Sequence, residues 1–367
     1  MYIITLSEPA VIHLRKSGNG GRAHLFAPHR RYVVAEFVLA RLSKDFGSII
    51  SKISRLTPRT RNFDASGAKR GKVLVYNGSG GYGDQLLTWA LPSILHSMGY
   101  EVHVAVDPGN EPLWWTVPHC ASIVSLPVEY EHWQLFDHHA IFETVSNTDE
   151  HPDQLHPLDA MLWKIGIDPD TIPMSAKVQR PLFTDKERAT AEALGDGRPF
   201  GLFQLAASIP LRSLTPSQSA DALATVATKR PDLLWLAVHD QYIPPEYVKE
   251  ASELGLPNVA TKEFSTVRGM LAAAASAKLC VGPDSFIIHA AGVSGVPAVG
   301  VWGPTHPNLR TRYYANHQAL YVPTRCPHAP CLHAGGNLPP FCPTKESGSC
   351  GVVSDAVAAL KQLKLTK

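Results

Sequence analysis

An aspartate that follows a glycine turn is the first place where this chain could do chemistry. Residues 78–83 read Gly78-Ser79-Gly80-Gly81-Tyr82-Gly83, and Asp84 comes next. A short apolar run, 72–77, precedes the turn, and a helical pattern, 84–98, follows it. Gly78, Gly80 and Gly83 satisfy the G-x-G-x-x-G spacing, and Asp107 at the end of the next strand stands where a ribose-binding acid would be expected. One reading is therefore a dinucleotide-dependent oxidoreductase using NAD(P) or a flavin. Asp84 argues against it. A helix start attracts anions, and a carboxylate there would repel the pyrophosphate the turn is supposed to hold. The same placement keeps a carboxylate ionised, which suits a general base toward an acceptor hydroxyl. A plain helix cap is the other role open to Asp84. Gly80, Gly81 and Tyr82 would then line the acceptor side.

The second informative stretch runs from Val281 to Thr305. A strand ends at Gly282, Asp284 or Ser285 caps a helix, Gly295 ends it, and Pro297 opens another strand before Gly303-Pro304-Thr305. Backbone N–H groups at Ser285 and Phe286 can hold a diphosphate. His289 lies four residues after Ser285, on the same helical face.

Four of the six cysteines cluster as Cys326, Cys331, Cys342 and Cys350. They could bind a structural zinc, with His328 and His333 as substitutes; two disulfides or unlinked thiols are the alternatives. Cys120 and Cys280 sit in apolar settings and read as buried thiols. Trp114, Trp115, Trp133 and Trp163 could stack on a sugar or base, although core packing is the commoner fate of such residues.

The elements that must position these residues form two αβ series. The first has strand candidates at 72–77, 101–106, 122–126 and 140–143 and a closing helix near 157–165. The second has strands at 200–205, 233–238, 279–282 and 298–302, with helical patterns at 217–228, 245–254 and 267–276. Strand, turn, helix and strand in that order make βαβ units and parallel sheets. A last amphipathic helix is expected at 354–363. Ahead of the first series, 1–6 and 11–14 read as strands, 31–46 as a helix and 52–70 as a linker.

The chain has 367 residues, 44% hydrophobic and 18% charged, which excludes global disorder and suggests two domains. No apolar run approaches the ~20 residues of a membrane span, and the start lacks the charged and apolar regions of a signal peptide. A cytoplasmic protein, at most peripheral to a membrane or nucleic acid, is expected. The net charge of +2 hides an asymmetry: residues 1–70 carry 13 Lys+Arg against 4 Asp+Glu, a net +9. That basic extension suggests an anionic partner.

The segment 281–305 resembles the heptosyltransferase-like glycosyltransferases, glycosyltransferase family nine. That family carries Asp-Ser/Thr-Gly-x-x-His-x-Ala-x-x-x-Gly-x-Pro, then an apolar strand and Gly-Pro-Thr. Here the matching residues are Asp284, Ser285, His289, Ala291, Gly295, Pro297, Gly303, Pro304 and Thr305; Phe286 replaces the usual Gly. In the first half Gly83, Asp84 and Pro92 match, and the family's catalytic base falls on Asp84. The stretch 203–214 is similar to the family's small-residue loop followed by a basic residue, which puts Ser208 and Arg212 on donor phosphate. Asp240 would stand near the donor ribose.

The resemblance covers residues 72–365 and implies the GT-B fold: an acceptor domain, 71–180, facing a nucleotide-sugar domain, 181–350, with a Cys-rich loop at 323–350. A final helix, 351–367, would cross back to the first domain. The implied reaction is inverting transfer from a nucleotide-diphosphate sugar, without an obligatory metal. The acceptor would be an anionic, lipopolysaccharide-core-type saccharide. The +9 segment, with Arg15, Lys16, Arg22, Arg30 and Arg31 about a glycine turn, also suits DNA, so a glycosyltransferase acting on a hydroxylated base such as 5-hydroxymethylcytosine is the runner-up. A binding module without catalysis is a further alternative.

Overall fold

The computed structural model describes residues 1–13, 23–56, 71–78, 80–142, 155–241, 243–323, 326, 329–331 and 350–365. The chain forms two compact units, residues 1–150 with 157–179, and residues 151–156 with 180–367.

The first unit begins with β1 (Tyr2–Leu6), β2 (Ala10–His13), β3 (Ala23–Phe26), β4 (Arg31–Val34) and β5 (Ile50–Arg55). The helix Glu36–Phe46 buries Val38 and Leu42, one turn apart, against Ile4, Leu6, Ile12 and Phe26. The described part of the basic segment is thus a folded sheet and helix with a core of its own. The expected helix over 31–46 starts late because Arg31-Tyr32-Val33-Val34 is a β-branched and aromatic run that pairs with β1 instead. Residues 52–55 of the expected linker are the end of β5. Arg15, Lys16, Arg22 and residues 57–70 lie outside the described residues. Arg30 and Arg31 are not spare cations: they pair with Glu129 and Glu131, each at 2.5 Å.

Next come β6 (Lys72–Asn77), β7 (Glu101–Val106), β8 (Cys120–Ser125), β9 (Val128–Glu129) and β10 (His138–Phe142). Four of these make a parallel sheet in the order β10-β6-β7-β8. β9 instead joins the N-terminal sheet, β5-β1-β4-β9, by antiparallel pairing with β4. The expected helix 84–98 is two helices, Tyr82–Thr88 and Ala90–Ser97. Pro92 has no N–H to give to the carbonyl of Thr88, so the first ladder ends there.

The second unit contributes β11 (Phe200–Gln204), β12 (Leu234–His239), β13 (Val259–Glu263), β14 (Leu279–Pro283), β15 (Ala298–Val301) and β16 (His317–Leu320). They form one parallel sheet in the order β13-β12-β11-β14-β15-β16. The closing helix, Gly351–Gln362, seats Val353, Ala356, Val357 and Leu360 in the same core as Leu223 and Val226 of the helix Pro216–Lys229. The resemblance implied a helix crossing back to the first domain. Its buried residues belong to the core of the second unit.

An ion pair staples the start of this unit. Arg268, largely buried, reaches Glu187 through Nε at 2.6 Å, donates to the Leu182 carbonyl, and lies over the Phe183 ring. The bond from Arg268, with help from Thr184, holds the Glu187 carboxyl down to about 2 from an ordinary 4.5. A depressed carboxyl contributes stability that is full above its unfolded value and lost as pH falls toward its folded one. Glu187→Gln should therefore lower the melting temperature at neutral pH and flatten its decline between pH ~5 and ~2. A variant whose melting temperature falls with acid as steeply as the wild type would contradict this account.

Candidate active site

In an open parallel sheet, ligands bind where the strand order reverses, outside the carboxyl ends of the strands. In the second unit that point lies between β11 and β14, since the chain runs outward to β12 and β13 on one side and to β15 and β16 on the other. Two loops meet there. One follows Gln204 and carries Ser208 and a single turn of 3-10 helix, Pro210–Arg212. The other follows Pro283 and carries Asp284 and Ser285 into the helix Phe286–Ser294.

Arg212 joins the two loops. Its Nη2 donates to Ser208 Oγ at 2.9 Å, and its Nη1 lies 3.7 Å from Asp284 Oδ2. Its Nε is buried with no protein partner among the described residues. Asp284 is 3% exposed, and His289 Nε2 stands 3.9 Å from its other oxygen. Burial pushes the Asp284 carboxyl up, but the Arg212 guanidinium, His289 and the Thr305 hydroxyl outweigh it and hold the group well below the usual carboxylate range. Asp284 is therefore a buried anion that fixes Arg212 and His289. Tyr314, whose hydroxyl is 3.4 Å from His289 Nδ1, backs the imidazole.

Ser208, Arg212, Asp284, His289 and Thr305 are thus brought together as expected. Ser285 precedes the helix, but its hydroxyl does not cap it. Gln204 does: its Oε1 accepts the Ile287 N–H at 3.0 Å, and its Nε2 donates to Ser285 Oγ at 2.9 Å. Phe286, the first residue of the helix, is buried at 8% exposure. Asp240 follows β12, one strand further out along the same edge. Gln204 and Tyr314 were missed from sequence. A polar residue closing the apolar run 200–205 was the available signal for the first.

In the first unit the switch lies between β6 and β10, and the turn after β6 carries Asp84. Asp84 Oδ2 accepts the Gly81 N–H at 2.7 Å, a reach-back that fixes the carboxylate at the helix start. The cap role is thus real, and it uses one oxygen. Gly80 has φ +130°, a backbone conformation that favours glycine, so this part of the glycine pattern serves the turn itself. Gly81 and Tyr82 are half-buried beside it.

Two expectations for this unit fail. Trp114 is 1% exposed and donates to Gln85 Oε1 at 2.9 Å, so it is a core residue and offers no stacking face; Trp115, 64% exposed, still does. Asp107 is buried against His24 of β3, with Nε2 at 2.6 Å from Oδ1. The acid that the oxidoreductase reading needs on a ribose is engaged inside the fold.

Cys326, Cys331 and Cys350 pack into one cluster around Tyr321. Among the described residues no three side chains of ligand type stand where they could hold a metal, and Cys342, His328 and His333 lie outside those residues. Cys280 is buried as expected. Cys120 is only half-buried, with its thiol pushed up to about 11 by desolvation. Among the described residues, no helix is long and apolar enough to cross a membrane.

Residues 177–341 match the family model of glycosyltransferase family 9 (heptosyltransferase). The fold is similar to that of ADP-heptose LPS heptosyltransferase II from E. coli, at 11% identity and TM-score 0.57, covering 79% of this chain and 98% of that one. A glycosyl transferase family 9 protein from Veillonella parvula is similar at 14% identity and TM-score 0.58, covering 83% of this chain and 99% of that one. The iron-containing dodecameric glycosyltransferase TibC of enterotoxigenic E. coli is similar at 10% identity and TM-score 0.52, covering 82% of this chain and 74% of that one. No curated protein sequence matches the chain. The match to glycosyltransferase family 9 over residues 177–341 agrees with the resemblance carried by 281–305, and the fold is similar to that of the GT-B heptosyltransferases.

Proposed function

We propose that this chain is a cytoplasmic inverting glycosyltransferase that moves a sugar from a nucleoside-diphosphate sugar to the hydroxyl of an anionic, lipopolysaccharide-core-type saccharide. The observation that carries the donor half is the junction of Ser208, Arg212 and Asp284 at the β11/β14 switch point. Arg212 is a fixed cation with a buried Nε still to be satisfied, which suits a diphosphate. The acceptor class rests on the net +9 of residues 1–70 and on the likeness to a protein described as an LPS heptosyltransferase.

In this mechanism Asp84 takes the proton of the acceptor hydroxyl as its oxygen attacks the anomeric carbon. The bond from that carbon to the diphosphate breaks, and its electron pair leaves with the diphosphate. Arg212, with the N-terminus of the helix Phe286–Ser294, stabilises the departing charge.

A thermal-shift screen tests the reading. Sugar nucleotides or nucleoside diphosphates should raise the melting temperature, in line with about 2.7 kcal/mol at a hundredfold excess over the dissociation constant, and NAD(P)H should not. Stabilisation by NAD(P)H alone would return the oxidoreductase reading.

A further inference from the structure

The side chain of Gln204 leaves the end of β11 and crosses to β14, its neighbour in the sheet. Gly282 on β14 makes room for it: a Cβ at 282 would lie 3.0 Å from the Gln204 Cβ. The orientation of the Gln204 amide follows from its partners. The Ile287 backbone N–H can only donate, so the atom facing it is the amide oxygen, at 3.0 Å. The other atom, 2.9 Å from Ser285 Oγ, is then the amide nitrogen, which can only donate. Ser285 Oγ is therefore the acceptor in this bond, and its own proton is directed away from Gln204. Diphosphate oxygens at neutral pH accept hydrogen bonds and do not donate them. A hydroxyl held in the donating sense next to Asp284 and its partner Arg212 suits such a ligand.

We propose that Gln204 is a positioning residue of the donor site, and that it sets Ser285 as a hydrogen-bond donor to an oxygen of the nucleoside diphosphate. This rests on the donor reading above. Gln204 also occupies the Ile287 N–H, so the start of the helix is held to β11 by one side chain at two points. A carboxylate at 204 would reverse the relay. It would accept from Ile287 and from the Ser285 hydroxyl alike, and would leave only lone pairs of Ser285 toward the ligand.

Binding of ADP, UDP, GDP and CDP to the full chain is first measured by calorimetry, and the tightest is kept as the probe. Gln204→Glu should bind that probe roughly 10- to 100-fold more weakly near pH ~8. The loss should shrink toward pH ~5, because the introduced carboxyl gains a proton and can again donate to Ser285. A purely structural role would not give a loss that reverses with pH. Unchanged affinity at both pH values, or a loss that does not depend on pH, overturns the proposal. Should the carboxyl variant not fold, a double-mutant cycle decides the matter. Gln204→Leu should weaken the probe on its own and cost clearly less in a Ser285→Ala background, where only the Ile287 N–H bond remains to be lost, whereas fully additive losses overturn the relay. If the wild-type protein binds none of the four nucleotides, it is the donor reading that fails, a result distinct from the others.

Discussion

Asp84→Asn is expected to lower turnover at least ~100-fold while leaving nucleoside-diphosphate affinity nearly unchanged. The prediction separates the cap role that the structure shows from the base role proposed for the same carboxylate. As a cap, Asp84 accepts the Gly81 N–H through Oδ2 at 2.7 Å. The amide oxygen of asparagine can accept the same bond, so the turn and the helix Tyr82–Thr88 should survive. As a base it must bind a proton, which an amide cannot do at neutral pH. The donor residues Ser208, Arg212 and Asp284 all belong to the other unit and are untouched by the change. Steady-state rates with calorimetric donor binding and a melting curve make the comparison. Wild-type turnover in a folded variant would leave Asp84 as a cap and nothing more.

The second large effect is expected at Arg212. Arg212→Ala should weaken nucleoside-diphosphate binding roughly 10- to 100-fold, the loss expected for a charge-assisted bond to an anion. It should also lower stability, because Asp284 is a buried carboxylate that would lose the guanidinium facing it. Asp284→Asn is the informative control. It frees Arg212 from its 3.7 Å neighbour, so it should cost orientation rather than charge and weaken the diphosphate less than Arg212→Ala does. Donor affinity unaltered in Arg212→Ala would remove the diphosphate from this end of the sheet.

What the sequence made legible was whatever continuous apolar runs and local spacing can encode. β6, β7, β11, β14 and β15 are buried over nearly their whole length and were readable as such. β13 and β16 close the two edges of their sheet with Val-Ala-Thr-Lys-Glu and His-Gln-Ala-Leu, which carry no apolar run to notice. The donor set was legible because the residues that converge sit in two short, motif-bearing loops. Gln204 was not, since its role depends on Ser285, which follows β14 and is 81 residues away in sequence. The tryptophans show the same limit. Trp114 ends the four-residue helix Glu111–Trp114 and is buried with its indole N–H on Gln85, whereas Trp115, the next residue, is exposed. Asp107 had the right spacing for a cofactor acid, and a histidine from β3 took it for the interior.

The pairing of β4 with β9 has a consequence for how the chain is made. β1, β4 and β5 are complete once residue 55 has been synthesised, but Val33 finds its partner Val128 only 95 residues later. At ~5–20 residues per second the free edge of β4 stays open on the ribosome for ~5–20 s. During that time its unpaired backbone groups and the face of Val33, which ends up against Leu74, Tyr76 and Val128, await a sheet that is still being translated. The N-terminal sheet and the first parallel sheet therefore finish together. A chain begun at residue 71 would reach maturity with β9 unpaired and that apolar patch uncovered, so its instability would say nothing about what the basic segment binds.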